Sequence, residues 1–277
     1  MRKLVTRTLS GVGFLVVVIG CLLLSHATYA LLFAFVLAVC CCEYYRMTVP
    51  GRYRTEKVLV IIAALAFFLL SYCVCAFSLD VKFVALALLP AMAAFIAMLH
   101  DCSADYDFNA HLFFPLLYVA LPVSSTLLLT FGRGGEYSPV LILSVFAMIW
   151  FNDVGAYVFG MGFGQKPDSR KLSPALSPKK SWWGVGGGTV ATLLAAVGAW
   201  AIAGRDVMPL CHFLAVGLIV AVFGVCGDLF ESLIKRHAGV KDAGNIIPGH
   251  GGMLDRFDDV LFLMPLVAIY LLMFNLV

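Results

Sequence analysis

Apolar residues in this chain fall in long runs separated by short polar breaks. They show neither the alternation of a half-buried strand nor the single stripe of a surface helix. Nine runs can be drawn, at residues 9–24, 29–42, 58–77, 81–99, 113–131, 140–160, 185–203, 209–226 and 259–275. Most come near the ~20 residues that a helix needs to cross the hydrocarbon of a bilayer. The pattern predicts an all-α fold, a polytopic integral membrane protein of nine transmembrane helices. The first two runs are short enough to form a re-entrant pair instead.

Composition strengthens this reading. Apolar residues make up 62% of the 277, charged residues only 13%, and the mean hydropathy is +0.98. A water-soluble core cannot absorb that much apolar surface. The net charge of +3 is too small, and too dispersed between runs, to suggest a nucleic-acid partner. Placement of the cations is more informative than their sum. With a cytoplasmic N-terminus, sixteen of the nineteen Lys and Arg fall on the cytoplasmic side, leaving Lys82, Arg133 and Arg205 outside. That partition puts two polar connections, 161–184 and 227–258, on one membrane face. The chain then reads as a single membrane domain, with helices 1–145 followed by a catalytic core 146–277. The first thirty residues mimic a secretory signal, but another apolar run begins at once, so they read as a retained span. The nine cysteines lie mostly inside apolar runs without a Cys-x-x-Cys pair, which supports neither a zinc site nor a disulfide framework. The N-terminal half reads as apolar packing, with Gly11-x-Gly13 allowing close helix approach.

Chemistry concentrates near the C-terminus. Between Gly227 and Asp259 lie four of the nineteen Lys and Arg and six of the sixteen Asp and Glu. Asp228, Glu231 and Ser232 fall at i, i+3 and i+4 on one helix face, with Lys235 a turn further. Hard oxygens beside a cation suit a magnesium-bound polyphosphate. Asp255, Asp258 and Asp259 repeat the spacing at the entry to the last run, where acids also suit a helix N-terminus. Between them, Pro248-Gly249-His250-Gly251-Gly252 predicts a turn whose backbone can approach a ligand. His250 there reads as an acid, a donor to phosphate or a turn residue. Upstream, Asp153 lies toward the end of the sixth run, where it either faces a cavity or cation or snorkels to the interface. Ser177-Pro178-Lys179-Lys180 leads into Gly184 and Gly186-Gly187-Gly188. Lysines and a glycine-rich helix start suit an anion, although a topogenic loop would have the same composition. No Walker A, Rossmann or His-Glu-x-x-His motif is present.

The run Ser232-x-x-Lys235-Arg236-x4-Lys241-Asp242-x-Gly244-x-x-Ile247-Pro248-x-His250-Gly251-Gly252-Met253-x-Asp255-Arg256-Phe257-Asp258 spans twenty-seven residues. It resembles, position for position, the signature of the phosphatidate cytidylyltransferase (CDP-diacylglycerol synthase) family. Trp150, Asp153, Gly155-Ala156-Tyr157 and Ser177-Pro178-Lys179-Lys180 are similar to a second family region. The chain departs from the pattern at Val154, at Trp183 and in a longer insert at 166–174.

The resemblance implies transfer of CMP from CTP to phosphatidate, giving CDP-diacylglycerol and pyrophosphate. It implies Mg2+ as cofactor, in a centre that can pair it with K+, and Asp228 and Asp255 as its ligands. Glu231 and Asp258 are expected to support that metal. Lys179, Lys180, Lys235, Arg236, Lys241 and Arg256 are expected to neutralise phosphates, with His250 assisting. Ser177, Ser232, Gly251, Gly252 and Asp153 complete the expected substrate contacts. The lipid would enter sideways from the inner leaflet of a bacterial plasma membrane, onto a cytoplasmic active site, and small-residue helix faces would allow a homodimer. A transporter or channel is the alternative of another class, and a polyprenol kinase or an archaeal-lipid cytidylyltransferase the nearest alternative enzyme.

Overall fold

A computed structural model describes the chain apart from residues 1, 100–105, 133–134, 167–168 and 205–206, and for 2–7 and 106–107 it describes the backbone alone. Arg133 and Arg205, two of the three cations expected outside, lie beyond the described residues, as does part of the 166–174 insert. The described part is helical, as the apolar runs predict, with one small hairpin. Seven of its helices are long and apolar enough to cross a membrane. The protein is therefore an all-α polytopic membrane protein. It divides into two compact units, Met1–Tyr137 with Ala238–Phe257, and Ser138–His237 with Asp258–Val277.

The first unit begins with α1 (Arg2–Leu24) and α2 (His26–Thr48), joined only by Ser25. Ser25 is extended and forms a capping box with Thr28: each side-chain oxygen accepts the other residue's backbone N–H, at 3.1 Å in both cases. Thr28 Oγ1 also donates to the Cys21 carbonyl at 2.7 Å, closing the turn. The second run is not short. At 23 residues α2 is one of the seven spanning helices, because Glu43, Tyr44 and Tyr45 continue it as buried residues where the sequence had suggested an end. α3 (Arg54–Phe77) ends at Ser78 in the left-handed region, φ 54°. A 3-10 stretch (Val81–Ala87) leads into α4 (Leu88–Met98). α5 (Tyr106–Pro115) and α6 (Leu121–Thr130) are joined by a π-helical turn, Leu116–Ala120. Pro115 and Pro122 bracket this turn, and the missing N–H of Pro122 breaks the regular ladder there.

Apolar side chains alone do not align helices in lipid, and this unit uses tyrosine hydroxyls. Tyr29 Oη meets Thr126 Oγ1 at 2.6 Å, Tyr45 Oη donates to the Leu112 carbonyl at 2.6 Å, and Tyr137 Oη donates to the Leu22 carbonyl at 2.6 Å.

The second unit holds α7 (Val140–Gly162), the strands β1 (Lys171–Ser173) and β2 (Ser177–Ser181), α8 (Trp182–Ala203) and α9 (Leu210–His237). It also holds α10 (Leu254–Met273) from Asp258 onward. The strands pair antiparallel, Lys171 opposite Ser181 and Ser173 opposite Ser177, so the Ser-Pro-Lys-Lys stretch is a strand and not an irregular loop. Ser181 ends that strand and caps α8, its Oγ accepting the Gly184 N–H at 3.2 Å.

The glycines of α8 serve packing. A Cβ at Gly188 would lie 2.5 Å from Asn152 Oδ1, one at Gly187 would fall inside the Phe159 side chain, and one at Gly155 would lie 2.6 Å from both Ala191 Cβ and the Gly187 carbonyl. These residues let α7 and α8 touch along their backbones. Of the expected anion cradle, Gly184, Gly187 and Gly188 are thus occupied by helix contact, while Gly186 has open space beside it. α9 approaches α10 in the same way, where a Cβ at Gly227 would lie 2.7 Å from the Asp258 carbonyl oxygen.

Candidate active site

In the second unit, α7, β2, α8, α9 and α10 surround a cavity of about 290 Å³. Its polar wall is made by Asn152, Asp153, Lys179, Lys180, Ser181, Asp228 and Asp259. Each arrives by a local rule. Asp153 lies on α7 one residue after buried Asn152, whose Oδ1 accepts the Thr192 hydroxyl at 3.2 Å. Lys179 and Lys180 are carried by the strand that Ser181 anchors to α8. Asp228 follows Gly227, the residue that brings α9 against α10. Asp258 and Asp259 lie one helical turn after Asp255 on α10.

Lys180 Nζ forms an ion pair with the Asp228 carboxylate. Asp258 feels the charges of Asp228, Lys235 and Asp153, and Asp259 those of Asp258, Asp153, Asp228 and Lys180. Four carboxylates thus share one neighbourhood with two lysines. Asp259 is 9% exposed, and its Oδ1 has no hydrogen-bond partner among the described residues. Burying such an oxygen is costly unless something else binds it. The donor set is of hard oxygens, as magnesium requires. Among the described residues, however, no three Asp, Glu, His or Cys side chains converge as a ready-made metal cage. This fits an ion held by one or two carboxylates with phosphate oxygens and water supplying the rest.

The other predicted residues of this unit fall as follows. Glu231, Ser232 and Lys235 continue the face of α9 as the spacing predicts. Glu231 is buried at 1% exposure and ion-pairs with Lys235 on its own helix, so these two engage each other. Ser177 opens β2, and Lys179 and Arg236 are exposed. Val154 and Trp183, where the chain departs from the family pattern, are 61% and 56% exposed, and neither lines the cavity.

Lys241, His250, Gly251, Gly252, Asp255 and Arg256 belong to the first unit. Here the signature loop folds on itself. Ile247 N–H donates to the Gly251 carbonyl and His250 N–H to the Ile247 carbonyl, each at 3.0 Å. Gly251 adopts φ +86°, which a side chain would strain. Asp255 Oδ2 accepts two backbone N–H bonds, from Ala243 at 2.9 Å and Gly252 at 2.8 Å. Asp255 therefore organises the loop besides any role toward a ligand. Ser10 on α1 donates its hydroxyl to the Pro248 carbonyl at 2.8 Å, and its Oγ lies 2.9 Å from His250 Nδ1, within hydrogen-bond distance. Lys241 and Arg256 are exposed.

Sequence reasoning missed the support this loop receives from the N-terminal helices, which had read as packing alone. Ser10 reaches it from α1, Phe14 packs edge-on against Phe257, and Glu43 on α2 accepts the Leu254 N–H at 2.8 Å. Glu43 is an acid that directly follows the second apolar run and stands inside its helix. That was the available signal, because intramembrane acids are seldom idle.

The chain is similar in sequence to several curated cytidylyltransferases. A phosphatidate cytidylyltransferase of Bacillus subtilis (strain 168) is 42% identical over 140 residues, half of each chain. One of Staphylococcus aureus (strain COL) is 44% identical over 131 residues, 47% of this chain and 48% of that protein. One of Staphylococcus saprophyticus is 42% identical over 131 residues, with the same coverage. The matched stretch spans about half the length of these relatives. The family model for the Cytidylyltransferase family matches residues 5–274, and the chain belongs to that family.

Proposed function

We propose that the protein transfers CMP from CTP to phosphatidate, releasing pyrophosphate and forming CDP-diacylglycerol. The observation that carries this reading is the second-unit cavity, where Lys179 and Lys180 on a capped strand face Asp153, Asp228 and Asp259. A phosphate oxygen of phosphatidate attacks the α-phosphorus of CTP. The bond from that phosphorus to the oxygen bridging to the β-phosphate breaks, and pyrophosphate leaves with the electron pair. The nucleophile is already an anion, so little general-base help is needed. The obstacle is bringing polyanions together, and positioning with charge neutralisation should dominate the catalysis.

Lys180 and Lys179 would neutralise triphosphate oxygens, Lys180 exchanging its ion pair with Asp228 for phosphate. Asp228 and Asp259, which line the cavity, would hold magnesium with Asp258 as a neighbouring support, and the ion when bound would offset charge on the triphosphate. Asp255 would take part from the first turn of α10. The distribution of Lys and Arg supports a cytoplasmic site in a bacterial plasma membrane, with the lipid entering from the inner leaflet. Purified protein given radiolabelled CTP, dispersed phosphatidate and magnesium tests the reading. Labelled CDP-diacylglycerol is expected, and no labelled lipid from phosphatidate, with turnover of CTP when a polyprenol is supplied in its place, would assign a different acceptor.

A further inference from the structure

Glu43 stands on α2 at 2% exposure, and its carboxylate lies against the connection between residues 242 and 254. Its Oε2 accepts the N–H of Leu254, the first residue of α10. The positive end of a helix is a favourable neighbour for a carboxylate, so Glu43 caps α10 from another helix. A second observation is steric. A Cβ at Gly244 would fall inside the Glu43 carboxylate, and one at Gly252 would lie 2.6 Å from Oε2. Neither glycine has a positive φ, so their backbones would accept alanine. The Glu43 side chain occupies the space that a side chain at 244 would need, and shares with the Gly244 backbone nitrogen the space beside Gly252. The residue after Leu254 is Asp255, whose Oδ2 is held by the N–H groups of Ala243 and Gly252, the residues beside and within this clamp.

We propose that Glu43 is a positioning residue: its carboxylate fixes the 242–254 connection and the first turn of α10, and thereby sets where Asp255 stands. The inference rests on the reading of the chain as a CTP-dependent transferase that uses Asp255. It makes the glycines at 244 and 252 partners of Glu43, not points of approach for a ligand. It also gives the N-terminal helices a part in the reaction, acting through another residue and touching no substrate. A site that holds its acids through a buried second carboxylate tolerates little loosening.

The test uses the full chain in detergent, with Glu43→Gln, Glu43→Ala, Gly244→Ala and the Glu43→Ala/Gly244→Ala double variant. Amide hydrogen exchange is read by mass spectrometry over residues 240–256. In Glu43→Ala, exchange there should rise at least tenfold while peptides from α7, α8 and α9 match the wild type. Glu43→Gln keeps an acceptor for the Leu254 N–H and should lie between the two. In the CTP assay, Glu43→Ala should raise the half-saturating magnesium concentration at least fivefold, with Glu43→Gln partly restoring it. Gly244→Ala should be damaging alone and harmless on top of Glu43→Ala, because the atoms it collides with are gone. Unchanged exchange in Glu43→Ala, or independent effects of the two substitutions, would overturn the proposal. Wild-type protein without CTP turnover would remove the assigned reaction, while the exchange and coupling results would still decide the clamp.

Discussion

Replacing Gly227 with alanine adds one methyl group at the point where α9 meets α10. The new Cβ would lie 2.7 Å from the Asp258 carbonyl oxygen, 2.9 Å from Phe262 Cβ and 3.0 Å from Asp259 Cα. Two of these neighbours are backbone atoms that cannot swing aside. Ordinary contact begins at 3.4 Å, so the helices must part here by the difference from 2.7 Å, about 0.7 Å. Overpacking of this kind costs about 1–3 kcal/mol. Better helix propensity offsets up to about 1 kcal/mol of that. A net loss of roughly 1–2 kcal/mol would lower the unfolding midpoint by about 2–8 °C in a chain of this size. The rate should suffer more, because Asp228 moves away from Asp258 and Asp259. A misplacement near 1 Å costs on the order of 100-fold. The assay pairs CDP-diacylglycerol formation with a melting curve in the same detergent, and Gly198→Ala, with nothing within 4 Å of its Cβ, is the control. A Gly227→Ala protein with wild-type midpoint and turnover would refute the close approach and the argument for a shared carboxylate neighbourhood.

Other substitutions separate the roles inferred for neighbouring residues. Gly186→Ala should leave activity and melting near wild type, whereas Gly187→Ala, which drives a methyl into Phe159, should lose about 1–3 kcal/mol of stability. Equal damage from both, without loss of stability, would restore the glycine tract as an anion cradle. Lys180→Met breaks an ion pair whose partners are 24% and 41% exposed, so its stability cost should stay within about 1 kcal/mol. Its kcat/KM for CTP should nevertheless fall on the order of 10- to 100-fold, since a charge-assisted bond to phosphate is lost. A purely structural lysine would reverse that pattern.

The part of this architecture that the sequence reveals is the part with a repeating physical signal. Runs of apolar residues announced helices, and the spacing of Asp228, Glu231, Ser232 and Lys235 placed them on one helix face, as they are on α9. Single residues in unfamiliar surroundings were harder. Glu43 with two tyrosines and Arg46 looks like the end of a span, yet Glu43, Tyr44 and Tyr45 are buried and α2 continues to Thr48. What they are buried against is distant in sequence, and hydropathy is blind to that. Glycine gave the opposite difficulty, because the same residue exposes N–H groups to an anion and lets two helices touch. Only the positions of Asn152 and Phe159 opposite Gly188 and Gly187 decide for packing. His250 likewise has its hydrogen-bonding neighbour, Ser10, on α1 and far away in sequence.

The central claim is that the carboxylates and lysines of the second-unit cavity handle a metal-bound triphosphate in transfer to a lipid phosphate. It is tested most directly by CDP-diacylglycerol formation in wild-type protein and in Asp228→Asn, both shown to be folded, across a magnesium titration. The expected result is magnesium-dependent product from the wild type and a fall on the order of 100-fold or more in Asp228→Asn, as for loss of a charge aimed at the reacting groups. Wild-type turnover that survives chelation of magnesium, or full activity in Asp228→Asn, would contradict it.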